Sequence, residues 1–436
     1  MSLYIKISEH FTIKKITEGF FIALLSAGAI YLDWLGLVNY FINTILGLAT
    51  LYFLLLADKK TWIWTGFFIG VLWFWWIGIS FKNYDMAWAI PIPIFVLGLI
   101  YMTIFYVPIT LVDFVGRVLN KNNEQLQRSV PTWFGLLGKA IILLLLSYIH
   151  PFGFDWFKPE LIFTNSYLGV EKWQFALVLL ALALTIYKKQ LLYLLIILFA
   201  YPYANQFQKS TTINPLLKLH GTHTNVKDKW NRDLLNQHID NVLIAINNAI
   251  SNKRQIIVFP ESVLPIFLNK QAQIMQRLQS DSTKITIVIG ALYWENEIPR
   301  NSTYIFQNGA YTIANKVKLV PFGEENPLPD FMGKWINKLF FDGAPDYVAS
   351  SDFTDYTIDG VTYRNAICFE ATSEKLYEGK PENMIVLTNN GWLTPSIEPT
   401  QQKILLQYYS KKYGTTIYHA VNMSDSYVIQ NGKIVK

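Results

Sequence analysis

Residues 255–262 read Gln255-Ile256-Ile257-Val258-Phe259-Pro260-Glu261-Ser262, a short apolar run without helical spacing, stopped by proline and followed at once by a carboxylate. A run of that length rich in β-branched residues reads as a buried strand. Pro260 ends it, because proline brings no N–H to a ladder. Outward from this stretch, Pro215–Leu219, Ile285–Ile289, Tyr363–Phe369 and Met384–Thr388 read as strands in the same way. Arg232–Ser251 instead carries helical spacing through Leu234, Leu235, Ile239, Val242, Leu243, Ile246 and Ile250. Asn308-Gly309 and Asn431-Gly432 suit type I′ hairpin turns. Strands alternating with helices, together with hairpins, predict an α/β sandwich built on two sheets over residues 208–436.

The chain before residue 208 is of another kind. Of the 436 residues, 52% are hydrophobic and only 16% charged, against roughly 25% charged in an average soluble domain. That balance excludes an intrinsically disordered chain. Residues 1–207 hold 14 Lys/Arg and 10 Asp/Glu, leaving 23 and 21 for the rest. A bilayer crossing takes roughly 20 mostly apolar residues, since each backbone polar group must be satisfied within the segment. About seven stretches qualify, near 17–36, 37–56, 62–81, 87–112, 132–150, 173–187 and 190–206. Lys14 and Lys15 precede a hydrophobic stretch long enough to remain in the bilayer, so no cleavable signal peptide is expected.

Basic residues are retained in the cytoplasm. Ten of them (Lys6, Lys14, Lys15, Lys59, Lys60, Arg117, Lys121, Arg128, Lys188 and Lys189) fall on one set of loops, and three (Lys82, Lys158 and Lys172) on the other. This predicts a cytoplasmic N-terminus and an extracytoplasmic domain over 208–436. Lys139, a turn inside the fifth stretch, reads as a snorkelling lysine. The sequence pI of about 9.0 arises largely from short membrane-flanking loops, and no basic stripe with interleaved aromatics occurs in the second half. Nucleic acid is therefore not an expected partner.

Three polar groups sit at strand ends: Glu261 after the run quoted above, Lys316 after Ala310–Ala314, and Cys368 after Asn365-Ala366-Ile367. A carboxylate, an ammonium and a thiol converging on one crevice would support nucleophilic chemistry. The thiol needs a base to take its proton, and the oxyanion needs a cation. Taken singly, each has a plain structural alternative: a small buried hydrophobe, a turn residue, a solvated hairpin charge. Cys368 is the single cysteine, which excludes an intrachain disulfide and any cysteine-based zinc or iron–sulfur cluster. His220 and His223 form an H-x-x-H pair without an evident third ligand, and they read as loop residues. Neither a Gly-rich phosphate loop nor a G-x-S-x-G elbow is present.

Lys229-Trp230, Phe259-Pro260-Glu261-Ser262, Asn315-Lys316-Val317-Lys318-Leu319-Val320-Pro321-Phe322-Gly323-Glu324, Ile367-Cys368-Phe369-Glu370 and Asn389-Asn390-Gly391-Trp392 together resemble the nitrilase (carbon–nitrogen hydrolase) superfamily, whose signature is a Glu-Lys-Cys triad on an αββα sandwich. With membrane spans in front, the chain is more specifically similar to the bacterial apolipoprotein N-acyltransferase family. The resemblance implies a multi-span membrane domain at 1–207 and a nitrilase-like catalytic domain at 208–436. It makes Glu261, Lys316 and Cys368 the catalytic residues and Glu324 and Glu370 auxiliary carboxylates. It adds Phe369, through its main-chain N–H, to the oxyanion site, and Trp392 to the acyl-chain loop.

The same resemblance implies transfer of an acyl chain from phospholipid, through a cysteine thioester, to the N-terminal amine of a diacylated apolipoprotein. Catalysis would take place on the periplasmic side of a bacterial inner membrane, without cofactor or metal. The alternatives are a membrane-tethered nitrilase-type amidase, an acyltransferase with a different amine acceptor, and a non-catalytic scaffold. Lys318 stands at the family's usual histidine, His220-Gly221 where glutamine is usual, Asn390 where aspartate is usual, and Asn422-Met423-Ser424 in place of Asn-Thr-Gly. Leu405–Lys412 lacks the family's arginines, and the usual final membrane span is not in the sequence.

Overall fold

The structure is a computed structural model, and it describes residues 12–119, 133–203, 212–321, 323–325 and 347–435. Phe322, Lys6, Lys121 and Arg128, named above, lie outside the described residues. The chain divides into two compact units: Met1–Pro151, Asp155–Phe207 and Pro395–Ile404 form one, and Phe152–Phe154, Gln208–Thr394 and Leu405–Lys436 the other.

In the first unit the predicted apolar stretches fall on helices Ile13–Trp34, Tyr40–Leu56, Lys59–Phe74, Pro91–Leu119, Trp133–Leu145 and Lys172–Lys188, with a tighter 3₁₀ segment at Leu191–Ala200. Among the described residues, three segments are long and apolar enough to cross a membrane: Ile13–Trp34, Lys59–Tyr84 and Ala87–Gly116. Tyr40–Leu56, Trp133–Leu145 and Leu191–Ala200 are shorter than the stretches read from sequence, because turns, caps and 3₁₀ segments take up residues that hydropathy counts as helix, whereas Lys172–Lys188 slightly exceeds 173–187. Gly66 and Gly70 set the closest crossing. A Cβ on Gly66 would lie 2.7 Å from Phe105 Cβ, and one on Gly70 2.5 Å from the Leu97 carbonyl. Small residues of this kind let apolar helices approach backbone to backbone. Lys139 does not reach for solvent. Its Nζ donates to the Leu55 and Ala57 carbonyls at 2.8 and 2.6 Å, satisfying the open end of helix Tyr40–Leu56. The segment 395–404 joins this unit through Trp76 Nε1, which donates to Gln401 at 2.9 Å, and through Lys403, paired with Asp33 at 2.7 Å.

The second unit contains two six-stranded sheets. The first is built from β1 (Leu217–Leu219), β2 (Ile256–Val258), β3 (Leu264–Phe267), β4 (Thr286–Glu295), β5 (Ile298–Gln307) and β6 (Ala310–Asn315). Its order is β1-β2-β4-β5-β6, with β3 also on β4. The second is built from β7 (Asp355–Ile358), β8 (Val361–Ile367), β9 (Asn383–Asn389), β10 (Thr416–Asn422), β11 (Tyr427–Gln430) and β12 (Lys433–Ile434), and runs β12-β11-β10-β9-β8-β7. β2 and β4, like β8, β9 and β10, pair in parallel, and the hairpins add antiparallel edges.

The period of two explains the layering. Ile256, Val258, Val288 and Ile305 meet Ile385, Leu387, Tyr418 and Val428 between the sheets. Their neighbours Ile257, Phe259, Ile287, Ile289 and Phe306 point outward and are covered by Val242, Ile246, Met275 and Leu278, from helices Leu235–Ser251 and Ala272–Asp281. Both faces of β2 and β4 are thus dry, which is why they read as continuous apolar runs. On the far side, Gln407 and Ser410 of helix Glu398–Tyr413 bond the β11–β12 turn at Gly432. The result is the αββα sandwich expected from the sequence. Asn308-Gly309 and Asn431-Gly432 both take positive φ, as type I′ turns require. The strand expected over Tyr363–Phe369 is corrected: β8 stops at Ile367, and Cys368 opens a 3₁₀ turn to Thr372, because φ at Cys368 is +54°, which no ladder accommodates.

Gly290 fixes where β2 delivers its end. A Cβ there would lie 2.6 Å from the Pro260 carbonyl and the Ser262 nitrogen and 2.7 Å from Glu261 Cα. All three are backbone atoms, which cannot swing aside. Gly290→Ala should therefore destabilise the second unit by about 1–3 kcal/mol, read as a lower melting temperature. An unchanged melting curve would contradict this close approach.

Candidate active site

Lys316 follows β6, and its position is set by the β5–β6 hairpin, where its main-chain N–H donates to the Asn301 carbonyl at 3.0 Å. The side chain is 1% exposed. A buried ammonium needs negative partners, and it has two: Glu324 at 2.7 Å and Glu261 at 3.5 Å. Burial works against its charge, but Glu324, Glu261 and Cys368 together hold its pKa above the usual lysine value.

Glu261 lies in the turn after β2, where Ser262 takes a φ of +45°. Its Oε1 also accepts from Asn301 Nδ2 at 2.7 Å, and its Oε2 accepts from the Asn389 main chain at 3.0 Å. Asn301 Nδ2 donates to Glu324 as well, at 2.9 Å. Every group described on the Glu261 carboxylate is a donor, as an ionised carboxylate requires.

Cys368, half-buried, sits on its left-handed turn at the end of β8. Glu370, fully buried, ties that turn to the stretch after Lys316. Its Oε1 accepts from Ile367 N at 2.7 Å, and its Oε2 from Val317 N at 2.7 Å and Lys318 N at 3.2 Å. Burial pushes the Glu370 carboxyl up to about 7, against the pull of Lys316 and the three main-chain donors. The phenol of Tyr347 is pushed up to about 12 by burial, with Glu324 and Glu261 adding to it.

Glu261, Lys316, Cys368, Glu324 and Glu370 are thus brought together. Phe369 lies beside them with its ring stacked on Phe154 at 5.4 Å, and the Lys318 ammonium lies over it at 5.3 Å while donating to Ser373. Trp392 occupies the turn Asn390–Trp392 after β9, half-buried and three residues beyond the main-chain donor to Glu261. His220 and His223 belong to no group of His, Cys, Asp and Glu able to hold a metal ion among the described residues. Asn301, Phe154 and the charge of Lys229 were not assigned from sequence. Asn301 stands in β5 beside Arg300, Ser302 and Thr303, so its polarity does not set it apart from its neighbours, and nothing local marks Phe154.

The family model of the apolipoprotein N-acyltransferase integral membrane domain matches residues 13–205. Among relatives, the apolipoprotein N-acyltransferase of Wolinella succinogenes is 37% identical over 425 residues, covering 95% of this chain and 96% of that protein. That of Helicobacter hepaticus is 33% identical over 88% of this chain and 93% of its own length, and that of Campylobacter jejuni 32% over 99% and 93%. A CN-hydrolase superfamily protein from Xanthomonas campestris, 13% identical over 50% of this chain and 84% of that one with a TM-score of 0.38, is too slight a likeness to bear on the reading. At the identities of the first three, over nearly the whole of both chains, the chain belongs to the apolipoprotein N-acyltransferase family.

Proposed function

We propose that the protein transfers a fatty acyl chain from a phospholipid to the N-terminal amine of a diacylglyceryl-cysteine lipoprotein, by a ping-pong route through a thioester on Cys368. What carries the reading is the buried Lys316 ammonium between Glu261 and Glu324, with the charge of Cys368 bearing on it. Glu261 takes the Sγ proton, and the thiolate attacks the ester carbonyl. The oxyanion forms against Lys316 and the Phe369 N–H. Collapse expels the lysophospholipid, whose oxygen takes the proton back from Glu261. The amine then attacks the thioester, gives its proton to Glu261, and releases Cys368 as the thiol. Glu324 and Glu370 order the ammonium and the nucleophile turn, and Trp392 belongs to the acyl-chain loop.

Both substrates are lipids, so the site works at a membrane: the bacterial inner membrane, with seven crossings at 1–207 and the catalytic domain at 208–436 on the periplasmic side.

Purified protein given phospholipid should carry one acyl mass on Cys368, and adding diacylated lipopeptide should discharge it as triacylated product. Cys368→Ala should lose adduct and turnover together. Near-normal turnover by that variant would sink the triad, and ammonia release from a soluble amide without lipopeptide acylation would make the protein an amidase.

Lys316→Ala should lower the rate by on the order of 100- to 1,000-fold, and Lys318→Ala by much less. The reverse ranking would show that the oxyanion cation has been misassigned.

In a Cys368→Ala background, a cysteine placed at the Asn308-Gly309 turn should be labelled by an impermeant thiol reagent on intact spheroplasts, and one beside Asn122, outside the described residues, should not. Labelling at Asn122 alone would invert the topology.

A further inference from the structure

Lys229 ends the short helix Val226–Lys229, whose first turn is capped by Asn225 accepting from Asp228 N at 2.9 Å. Its side chain is 3% exposed, and its Nζ donates to the main-chain carbonyl of Glu261 at 2.8 Å. That carbonyl lies between two constraints already described, the backbone contact with Gly290 on one side and the left-handed Ser262 on the other. The ammonium therefore closes a clamp on the residue that carries the proposed base. It is also a second buried cation within electrostatic reach of the nucleophile. Burial brings Lys229 down to about 8, while Glu261 and Cys368 both act to keep it charged.

We propose that Lys229 is a positioning residue of the acylation step, holding the main chain that presents Glu261 and supplying, together with Lys316, the positive field in which the Cys368 thiol ionises. The proposal rests on the triad reading. In the step concerned, the S–H bond of Cys368 breaks, its proton goes to the Glu261 carboxylate, and both lysines keep their protons. The other titratable groups lining a small cavity of about 40 Å³ with Lys229 are His220 and His238. His220 is held below the usual histidine value by burial and by Lys218. Glu324 and Tyr347 bear on Lys316 and Glu261, and Glu370 and Lys318 lie at the Cys368 turn.

With a single cysteine in the chain, iodoacetamide alkylation of the full-length protein in detergent, followed by intact mass, reads Cys368 alone and needs no lipid substrate. Removing a cation beside a thiolate disfavours the charged form. Lys229→Met should therefore move the pH midpoint of alkylation up by about one unit and slow the reaction about tenfold at pH 7. Lys229→Arg should bring both back towards the unsubstituted protein. An unchanged midpoint in a Lys229→Met protein that melts normally would overturn the proposal, as would a shift that arginine does not reverse, since that marks packing rather than charge. Should Lys229→Met fail to fold, Lys229→Gln, a neutral donor, takes its place with the same expected shift and the same refutation. Lys316→Met in the same assay separates the two levels. If it moves the midpoint and Lys229→Met does not, the Lys229 proposal alone falls; if neither moves it, the triad reading falls with it.

Discussion

An ammonium cannot be sealed from water without company, and the second unit is arranged around one that is. Lys316 at 1% exposure is tolerable because Glu324 and Glu261 lie at 2.7 and 3.5 Å. The desolvation of such a charge amounts to several kcal/mol even after relaxation, and it is offset only when partners and hydrogen bonds are all in place. Each partner is in turn fixed by others. Asn301 donates to both carboxylates, the Asn389 main chain completes Glu261, and Val320 N completes Glu324. Loss of one carboxylate would leave the cation short of a counter-charge, and loss of the cation would leave two carboxylates facing each other.

A second device holds Cys368. Cys368 holds a left-handed φ that non-glycine residues reach at a cost on the order of 1–3 kcal/mol. The three main-chain N–H groups converging on Glu370 make that conformation the one the surroundings require. Since two of the three belong to Val317 and Lys318, Glu370 also ties the Cys368 turn to the chain immediately after Lys316. The Cys368 turn and the chain after Lys316 are registered to each other by main-chain N–H groups gathered on one buried carboxylate.

Much of this was legible in the chain because β2, β4, β8 and β9 are dry on both faces and advertise themselves as apolar runs. Glu261, Lys316 and Cys368 stand out as the polar residues where those runs and the β5–β6 hairpin end. The extent of β8 was misread, since Ile367-Cys368-Phe369 is apolar throughout and hydropathy carries no record of a positive φ. Asn301 and the carbonyl held by Lys229 escaped notice for a related reason: a hydrogen bond between strands distant in sequence leaves no periodic trace. In the first unit, hydropathy marks apolar stretches but does not distinguish an α-helix from the 3₁₀ segment Leu191–Ala200, whose rise per residue differs.

Phe152–Phe154 lies in sequence between two helices of the membrane-type unit, yet it folds with the other, and Phe154 stacks on Phe369, the residue after Cys368. The modules are therefore not separable by a single cut. A fragment starting at residue 208 would carry Glu261, Lys316 and Cys368 in full and still leave one face of the Phe369 ring without its aromatic neighbour. The order of residues along the chain and the membership of the units thus disagree at this loop, so the second unit is not a contiguous stretch of sequence.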